Sequence, residues 1–270
     1  MTDPTFSVKD VPSELMQQTL LDRNLVKVVD RPVVRLLPEL NIVLLGGRSI
    51  LDRGGDVVTS LVGELRAAMG SRPLLVLTGV GVRGRHAQGI GLDLGLPTGV
   101  LANLASIEGD QNGAMIAALM AADGVSVVGH GTAAHQLATH LAACPLVVSN
   151  GYPPFGLHEL PPAVGKLPVH GADSGALLLA DSYGAARVVL VKDVDGICTG
   201  DPAQDAGALV LPRVSAEDLR GLKTSPVEPV LADLLSRTRH VRELQIVNGL
   251  VPGNLTKALN GEHVGTILHA

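Results

Sequence analysis

Short apolar runs alternate with amphipathic segments along most of this 270-residue chain. The apolar runs have the length of buried strands and lie at residues 42–45, 74–77, 125–128, 146–149, 186–191 and 243–247. Apolar positions at helical spacing lie at residues 56–69, 86–94, 111–122, 132–141, 174–183, 215–222 and 229–239. This alternation predicts an α/β fold, a three-layer αβα sandwich with a mainly parallel central sheet.

Two segments depart from the alternation and set the domain organisation. Residues 1–38 are mixed in character, with a short predicted helix at residues 13–21, and we expect an N-terminal extension that packs on the body or on a neighbour. Residues 151–171 are rich in proline and too long for a simple connector, so they form a candidate lid or binding loop. The chain ends in a predicted helix and an edge strand at residues 265–269. With no internal repeat and no linker, we predict one domain at residues 39–270.

Composition argues against several classes of partner. The net charge is −5, and two tyrosines and two phenylalanines are the only aromatic residues, so a nucleic acid would find neither a basic surface nor rings for its bases. The two cysteines have no spacing typical of metal or redox motifs, which favours a reducing compartment. The first residues do not combine a basic segment with an apolar one, and no apolar stretch approaches roughly 20 residues, so we expect neither export nor a membrane span. We expect a cytoplasmic protein with no nucleic acid or membrane partner.

A glycine pair follows the first apolar run directly. Gly46-Gly47 lies between a predicted strand and a predicted helix, so its backbone amides are placed to meet phosphate oxygens. Arg48 and Arg53 would add positive charge. A simple tight turn is the alternative interpretation.

A second glycine-rich segment, residues 79–84, matches the pattern G-x-G-x-x-G. It follows the second strand rather than the first, and the acidic residue that a dinucleotide-binding fold places after the next strand is missing. This argues against NAD. An anion-handling loop with Arg83 and Arg85, or a plain flexible turn, fits better.

A turn rich in carboxylates follows the apolar run at residues 186–191. It carries Asp193 and Asp195 and stops at Asp201-Pro202, and open α/β sheets bind ligands at such carboxyl ends of strands. With Gly46-Gly47 it predicts a nucleotide site built from two strand ends. Asp173 lies at the start of another predicted helix, where it either caps the helix or positions a metal or a lysine near phosphates.

Histidines are concentrated in one part of the chain, at positions 130, 135, 140, 158 and 170. A spacing of five turns each of the first three by about 140° around a helix, so His130, His135 and His140 cannot share one face as chelating partners. A single tetrahedral zinc site is therefore disfavoured. These histidines either converge on a cavity that binds a bulky anion or are ordinary surface residues.

Three motifs in order resemble the amino acid kinase family, in particular its bacterial uridylate kinase branch: Gly46-Gly47-Arg48, Gly171-Ala172-Asp173-Ser174-Gly175 and residues 191–202. Further segments, among them Gln111-Asn112-Gly113 and residues 247–256, resemble the molybdenum storage group of that family, most of all its alpha-type subunits. The resemblance runs through almost the whole chain. It implies the amino acid kinase fold.

The resemblance also implies ligands and partners. It implies that ATP and Mg²⁺ bind, and that a hexamer, made of one chain type or formed with a related beta-like subunit, stores the oxyanions molybdate or tungstate as polyoxometalate clusters. The implied nucleotide contacts are Gly46, Gly47, Arg48, Lys192, Asp193, Asp195, Gly196, Ile197, Thr199, Asp201 and Pro226, with Asp173 as the catalytic residue. The candidate metal contacts are the matched residues His130, His140 and His158, together with His135, which lies among them.

Several positions depart from the family pattern. Leu44 stands where the family has a phosphate-contacting lysine, Gly129 replaces a glutamate, and Gly156-Leu157 replace two of three consecutive histidines. Losing one contact to developing phosphoryl charge costs roughly 10²–10³ in rate. We therefore expect a storage subunit with at most ATP hydrolysis coupled to oxometalate loading. A UMP-type nucleoside monophosphate kinase and a non-catalytic, nucleotide-binding regulatory or capping subunit are the alternatives.

Overall fold

A computed structural model describes Ser13 and residues 34–129, 131, 133–153, 166–202, 204–205 and 207–270. The chain divides into two compact units, Met1–Val34 and Arg35–Ala270, and the helices and strands named below belong to the second. The predicted helix at residues 13–21 and much of the predicted loop at residues 151–171 lie outside the described residues. The boundary of the extension at residue 38 stays a prediction.

An eight-stranded sheet forms the centre of this unit. Its strands are β1 (Asn41–Leu45), β2 (Leu74–Thr78), β3 (Ser126–Val127), β4 (Leu146–Asn150), β5 (Arg187–Lys192), β6 (Arg213–Ser215), β7 (Glu243–Asn248) and β8 (Thr266–His269). Their order is β3-β4-β2-β1-β5-β7-β8-β6, and among these pairs only β7 and β8 run antiparallel. The sheet is therefore mainly parallel, as predicted.

Helices cover both faces of the sheet. They are α1 (Gly55–Ala68), α2 (Gly81–Asp93), α3 (Thr98–Leu119), α4 (Ala133–Ala143), α5 (Ala172–Tyr183), α6 (Ala216–Gly221), α7 (Leu231–Arg237) and α8 (Asn254–Asn260). Successive side chains of a strand point to opposite faces. In β1, Ile42 and Leu44 join a core with α4 to α7, whereas Val43 and Leu45 join a core with α1, α3 and α8. This is the predicted three-layer αβα sandwich. Within the described residues, no helix is long and apolar enough to cross a membrane.

Two predicted helices begin earlier than their periodicity indicated. The predicted helix at residues 86–94 begins at Gly81, and the one at residues 111–122 begins at Thr98. Glycines within these helices serve close packing: a Cβ added to Gly91 would lie 2.4 Å from Leu101 Cδ2, on the neighbouring helix. Tertiary packing thus overrides the low helix propensity of glycine.

The predicted edge strand at the chain end is not at an edge. β8 pairs with β7 on one side and with β6 on the other, so the strands at the two edges are β3 and β6. The sequence prediction lacked β6, which has only three residues and one fully buried side chain, Val214. So short a segment carries no recognisable alternation.

Candidate functional site

A cavity of about 780 Å³ opens at the carboxyl ends of the central strands. Its wall includes the turns after β1 and β2, the end of β5 and the first turn of α5. β1 has β2 on one side and β5 on the other, which makes this the point where the strand order reverses. Open α/β sheets bind ligands at such a point.

The two glycine turns pack directly against each other. A Cβ added to Gly47 would lie 2.1 Å from the Gly81 nitrogen, and one added to Gly79 would lie 2.5 Å from the Gly47 nitrogen. The Gly46 amide donates to the Val191 carbonyl oxygen at 3.1 Å, so this donor is already used by the backbone. The close approach of the two turns is therefore sufficient to explain the glycines without any ligand. It also leaves backbone without side chains in the cavity wall.

The arginines of the second glycine turn have different surroundings. Arg85 lines the cavity. Arg83 points to α3, where its Nε lies 3.3 Å from Glu108 Oε2 and its guanidinium also donates to Asn112 Oδ1. Of the two predicted anion-handling arginines, the structure brings Arg85 alone into the cavity wall.

An ion pair links the end of β5 to the first turn of α5. Lys192 Nζ lies 2.6 Å from Asp173 Oδ1, and both side chains are largely buried in the cavity wall. The N-cap position belongs to Gly171, so Asp173 does not cap its own helix and that alternative is wrong. Its carboxylate instead holds the lysine at the cavity.

Glu228 supplies the carboxylate that caps α5. It accepts hydrogen bonds from the amides of Gly171 and Asp173, both at 2.9 Å, from the Ser174 amide at 3.1 Å, and from the Ser174 hydroxyl. Its own amide donates to Asp173 Oδ2 at 3.1 Å. Burial and the Asp173 charge raise the pKa of Glu228 to about 7, against the opposing effect of the hydrogen bonds it accepts.

The sequence prediction did not include Glu228. The signal available was a glutamate placed between Pro226 and Pro229, within a segment rich in turn residues. Residues 224–229 all line the cavity, among them the predicted contact Pro226. The position of this loop beside α5 depends on tertiary structure that no local pattern carries.

The turn after β5 divides into lining and supporting residues. Asp193, Gly196 and Asp201 line the cavity with Lys192, and Arg53 forms an ion pair with Asp193. Gly46, Gly47 and Arg48, which follow the neighbouring strand β1, also line the cavity.

Three other predicted nucleotide contacts are not part of the cavity wall. Asp195 accepts a hydrogen bond from Asn248 at 2.8 Å, and Thr199 Oγ1 accepts one from the Leu209 amide at 3.0 Å. The side chain of Ile197 is fully buried in the core, and its role as a nucleotide contact stays a prediction. Hydrogen bonds and burial of these residues stabilise the turn without forming part of the cavity wall.

Part of the cavity wall is apolar. Leu44 lines the cavity with only 1% of its surface exposed, and Leu167 and Val169, both about half exposed, also line it. The wall also contains polar side chains, namely Arg85, Gln88 and Tyr152. Gln88 Nε2 lies 3.4 Å from the Tyr152 hydroxyl.

The predicted metal-binding histidines do not form a cluster in the part of the chain that the structure describes. His130 and His158 lie outside the described residues. His135 is exposed on α4, and His140 Nδ1 lies 2.6 Å from Ser126 Oγ. Neither is part of the cavity wall. Among the described residues, no three His, Cys, Asp or Glu side chains are grouped to hold a metal ion.

Comparison with known proteins agrees with this geometry. The sequence model of the amino acid kinase family matches residues 39–248. Molybdenum storage protein subunit beta from Azotobacter vinelandii is 43% identical over 267 residues, which is 98% of each chain. Uridylate kinase from Methanothrix thermoacetophila is 34% identical over 111 residues, or 38% of this chain and 49% of that relative.

Solved structures show the same fold at low sequence identity. Uridylate kinase from Archaeoglobus fulgidus has a TM-score of 0.65 at 22% identity and covers 84% of this chain and 99% of its own. UMP kinase from Ureaplasma parvum has a TM-score of 0.66 at 13% identity and covers 86% and 99%. The predicted fold and the predicted resemblance to storage proteins are confirmed. The relative found is a beta subunit, whereas the sequence motifs had indicated an alpha subunit.

Proposed function

The chain belongs to the amino acid kinase family and is similar along its length to a molybdenum storage protein subunit, and from this premise we propose that it binds Mg-ATP in the cavity and holds molybdate or tungstate in a multi-subunit assembly. The stored oxometalate is cargo, held as polyoxometalate clusters. We also propose a cytoplasmic location and a division of the chain into an extension at residues 1–38 and one domain at residues 39–270.

The cavity wall fits a nucleotide in size and chemistry. Its volume of about 780 Å³ lies within the usual range of small-molecule sites. The interlocked glycine turns expose backbone, and Arg48 and Lys192 supply positive charge at the carboxyl ends of the strands. Mg²⁺ needs one or two carboxylates in addition to phosphate oxygens, and the side chains of Asp173, Asp193 and Asp201 line the wall. When bound, Mg²⁺ would offset the charge of the triphosphate.

Leu44 is the observation that carries the proposal. It stands in the cavity wall two residues before Gly46 and is almost completely buried, so an apolar side chain occupies the place where the resemblance implies a lysine. Lys192 remains, held by Asp173. A cavity that keeps the cation of β5 but lacks the cation of β1 favours nucleotide binding over rapid phosphoryl transfer.

Assembly is supported by the surface of α2 and α3. Six large apolar side chains on these helices or at the C-cap of α2 are about half exposed or more: Val82, Ile90, Leu94, Ile107, Met115 and Leu119. Their spacing places them on one stripe of each helix. We propose that this surface takes part in subunit contacts of a hexamer, with the predicted histidines facing stored clusters. The hexamer contains this chain alone or a related beta-like subunit.

Metal analysis tests the storage proposal. Protein purified from cells grown with molybdate, and separately with tungstate, is analysed for bound metal per chain and for mass in solution. We expect several metal atoms per chain in a particle with the mass of six chains. Less than one metal atom per chain overturns storage by this chain alone. If co-expression with a beta-like chain then restores loading and assembly, the capping role is the correct one.

A nucleoside monophosphate kinase is the second candidate. It is favoured by the polar side chains of Arg85, Gln88 and Tyr152 in the cavity wall, which offer contacts for a second ligand. UMP-dependent formation of ADP tests it. We expect no turnover, because Leu44 cannot neutralise charge on the transferred phosphoryl group.

A further inference from the structure

Glu228 joins three separate parts of the cavity wall. Its carboxylate binds the first turn of α5, and its amide binds the carboxylate of Asp173, whose other oxygen holds Lys192 at the end of β5. The loop at residues 224–229, the helix α5 and the strand β5 are therefore connected through two neighbouring carboxylates.

Local sequence on both sides fits this connection. A Cβ added to Gly171 would lie 2.4 Å from Glu228 Oε1, so the carboxylate approaches α5 only because residue 171 has no side chain. Pro226 and Pro229 stand on either side of Glu228, and the fixed φ angle of proline limits the conformations open to the loop. Four donors on α5 and its preceding residue converge on the one carboxylate.

We propose that Glu228 is a positioning residue of the nucleotide site, which holds the loop of residues 224–229 against α5 and fixes Asp173 in the orientation that binds Lys192. The inference rests on the proposed nucleotide site in this cavity. Glu228 acts through Asp173, because the Glu228 amide is a donor to one oxygen of Asp173 while Lys192 is a donor to the other.

Release of Glu228 would disturb both ends of the site. The donors of α5 would lose their acceptor, the loop would lose its anchor, and the Asp173 carboxylate would be free to rotate away from Lys192. The lysine would then no longer be held at the cavity. Nucleotide affinity should fall even though the substituted residue itself need not touch the ligand.

Three variants test the inference in the full-length protein. Glu228→Gln removes the charge, and Gly171→Ala displaces the carboxylate while keeping its charge. Glu262→Gln alters an exposed glutamate elsewhere and is the matched control. Calorimetry with Mg-ATP should show at least about tenfold weaker binding for the first two variants, which corresponds to the loss of one strong hydrogen bond, and no change for the control. Circular dichroism and thermal unfolding verify that each variant is folded.

A double-mutant cycle with Asp173→Asn separates positioning from a general structural effect. If Glu228 acts through Asp173, Glu228→Gln should cost much less affinity in the Asp173→Asn background than in the wild type. Additive losses overturn the inference, as does wild-type affinity in both Glu228→Gln and Gly171→Ala. Should Glu228→Gln not fold, Ser174→Ala removes one of its hydrogen bonds and should weaken binding by about threefold. Unchanged affinity in that variant also overturns it.

The two proposals fail in different ways. If the wild type binds no Mg-ATP at all, the proposed nucleotide site is wrong and the positioning role falls with it. If the wild type binds and the variants bind equally well, only the role of Glu228 is wrong.

Discussion

The raised pKa of Glu228 predicts a dependence of stability on pH that a single substitution should remove. The pKa is about 7 in the folded protein and 4.5 for an ordinary glutamate. Between these two values the folded state binds more protons than the unfolded state. The free energy of unfolding contributed by this group therefore falls as the pH rises from about 4.5 to 7 and is constant above that range.

The magnitude follows from the size of the shift. One pKa unit corresponds to 1.36 kcal/mol, so the difference between 4.5 and about 7 amounts to at most about 3 kcal/mol. Glu228→Gln cannot titrate at this position. The free energy of unfolding of the variant minus that of the wild type should therefore increase by up to about 3 kcal/mol as the pH rises from 4.5 to 8. Most of this increase should fall between pH 5 and 7.

Urea unfolding of both proteins at pH 5, 6, 7 and 8, at one fixed protein concentration, measures this difference directly. Taking the difference cancels the titration of carboxylates that do not interact with Glu228. Glu262→Gln is the control and should follow the wild type at every pH. If the difference between Glu228→Gln and the wild type does not change with pH, the α5 amides keep Glu228 ionised with an ordinary pKa, and the reasoning is refuted. The same holds if the variant loses stability as the pH rises.

Three further predictions concern the cavity wall. Leu44→Lys should increase ATP hydrolysis, measured as ADP release, by up to about 10²-fold because it restores a cation near the phosphates, and an unchanged rate would mean that the rest of the site does not support hydrolysis. Gly47→Ala should lower the free energy of unfolding in urea titrations by about 2 kcal/mol or more and abolish Mg-ATP binding, because its Cβ would lie 2.1 Å from the backbone of the neighbouring turn. Gly63→Ala is the control on α1, where the added Cβ meets open space, and it should raise the free energy of unfolding by up to about 1 kcal/mol. Arg85→Ala should weaken Mg-ATP or molybdate binding in calorimetry, while Arg83→Ala should leave binding unchanged, and equal effects would contradict the different surroundings of the two side chains.

The fold was largely predictable because buried parallel strands leave a direct trace in sequence. The strands β1, β2, β4 and β5 each contain an uninterrupted apolar run, since both of their faces are covered by helices. α3 was only half predicted, because it is buried on more than one side and its glycines pack against neighbours. β6 was missed because three residues are too few to show a period.

The parts of the candidate site that directly follow strands were predictable. The parts that depend on contacts between segments distant in sequence were not. Gly46, Gly47 and Lys192 lie at strand ends, and parallel topology alone gathers such ends at one edge of the sheet. Glu228 lies 55 residues after Asp173 and meets it only through tertiary packing. Ile197 lies within the turn after β5, yet its side chain is part of the core, and the motif alone does not indicate this burial.

Leu44 and Glu228 together bear on whether the proposed site binds a nucleotide without transferring its phosphoryl group. Transfer of a phosphoryl group needs positive charge where negative charge develops, and Leu44 leaves that place apolar. Retention needs only a rigid wall, which the interlocked glycine turns and the Lys192–Asp173 pair supply. If catalysis were the function, the hydrogen bonds that hold Asp173 would be of little use without a cation on β1. If binding is the function, they keep Lys192 in the cavity whether or not a phosphate is transferred. The coexistence of a lost cation and a fully bonded Asp173 therefore favours a site that binds Mg-ATP over one that turns it over rapidly.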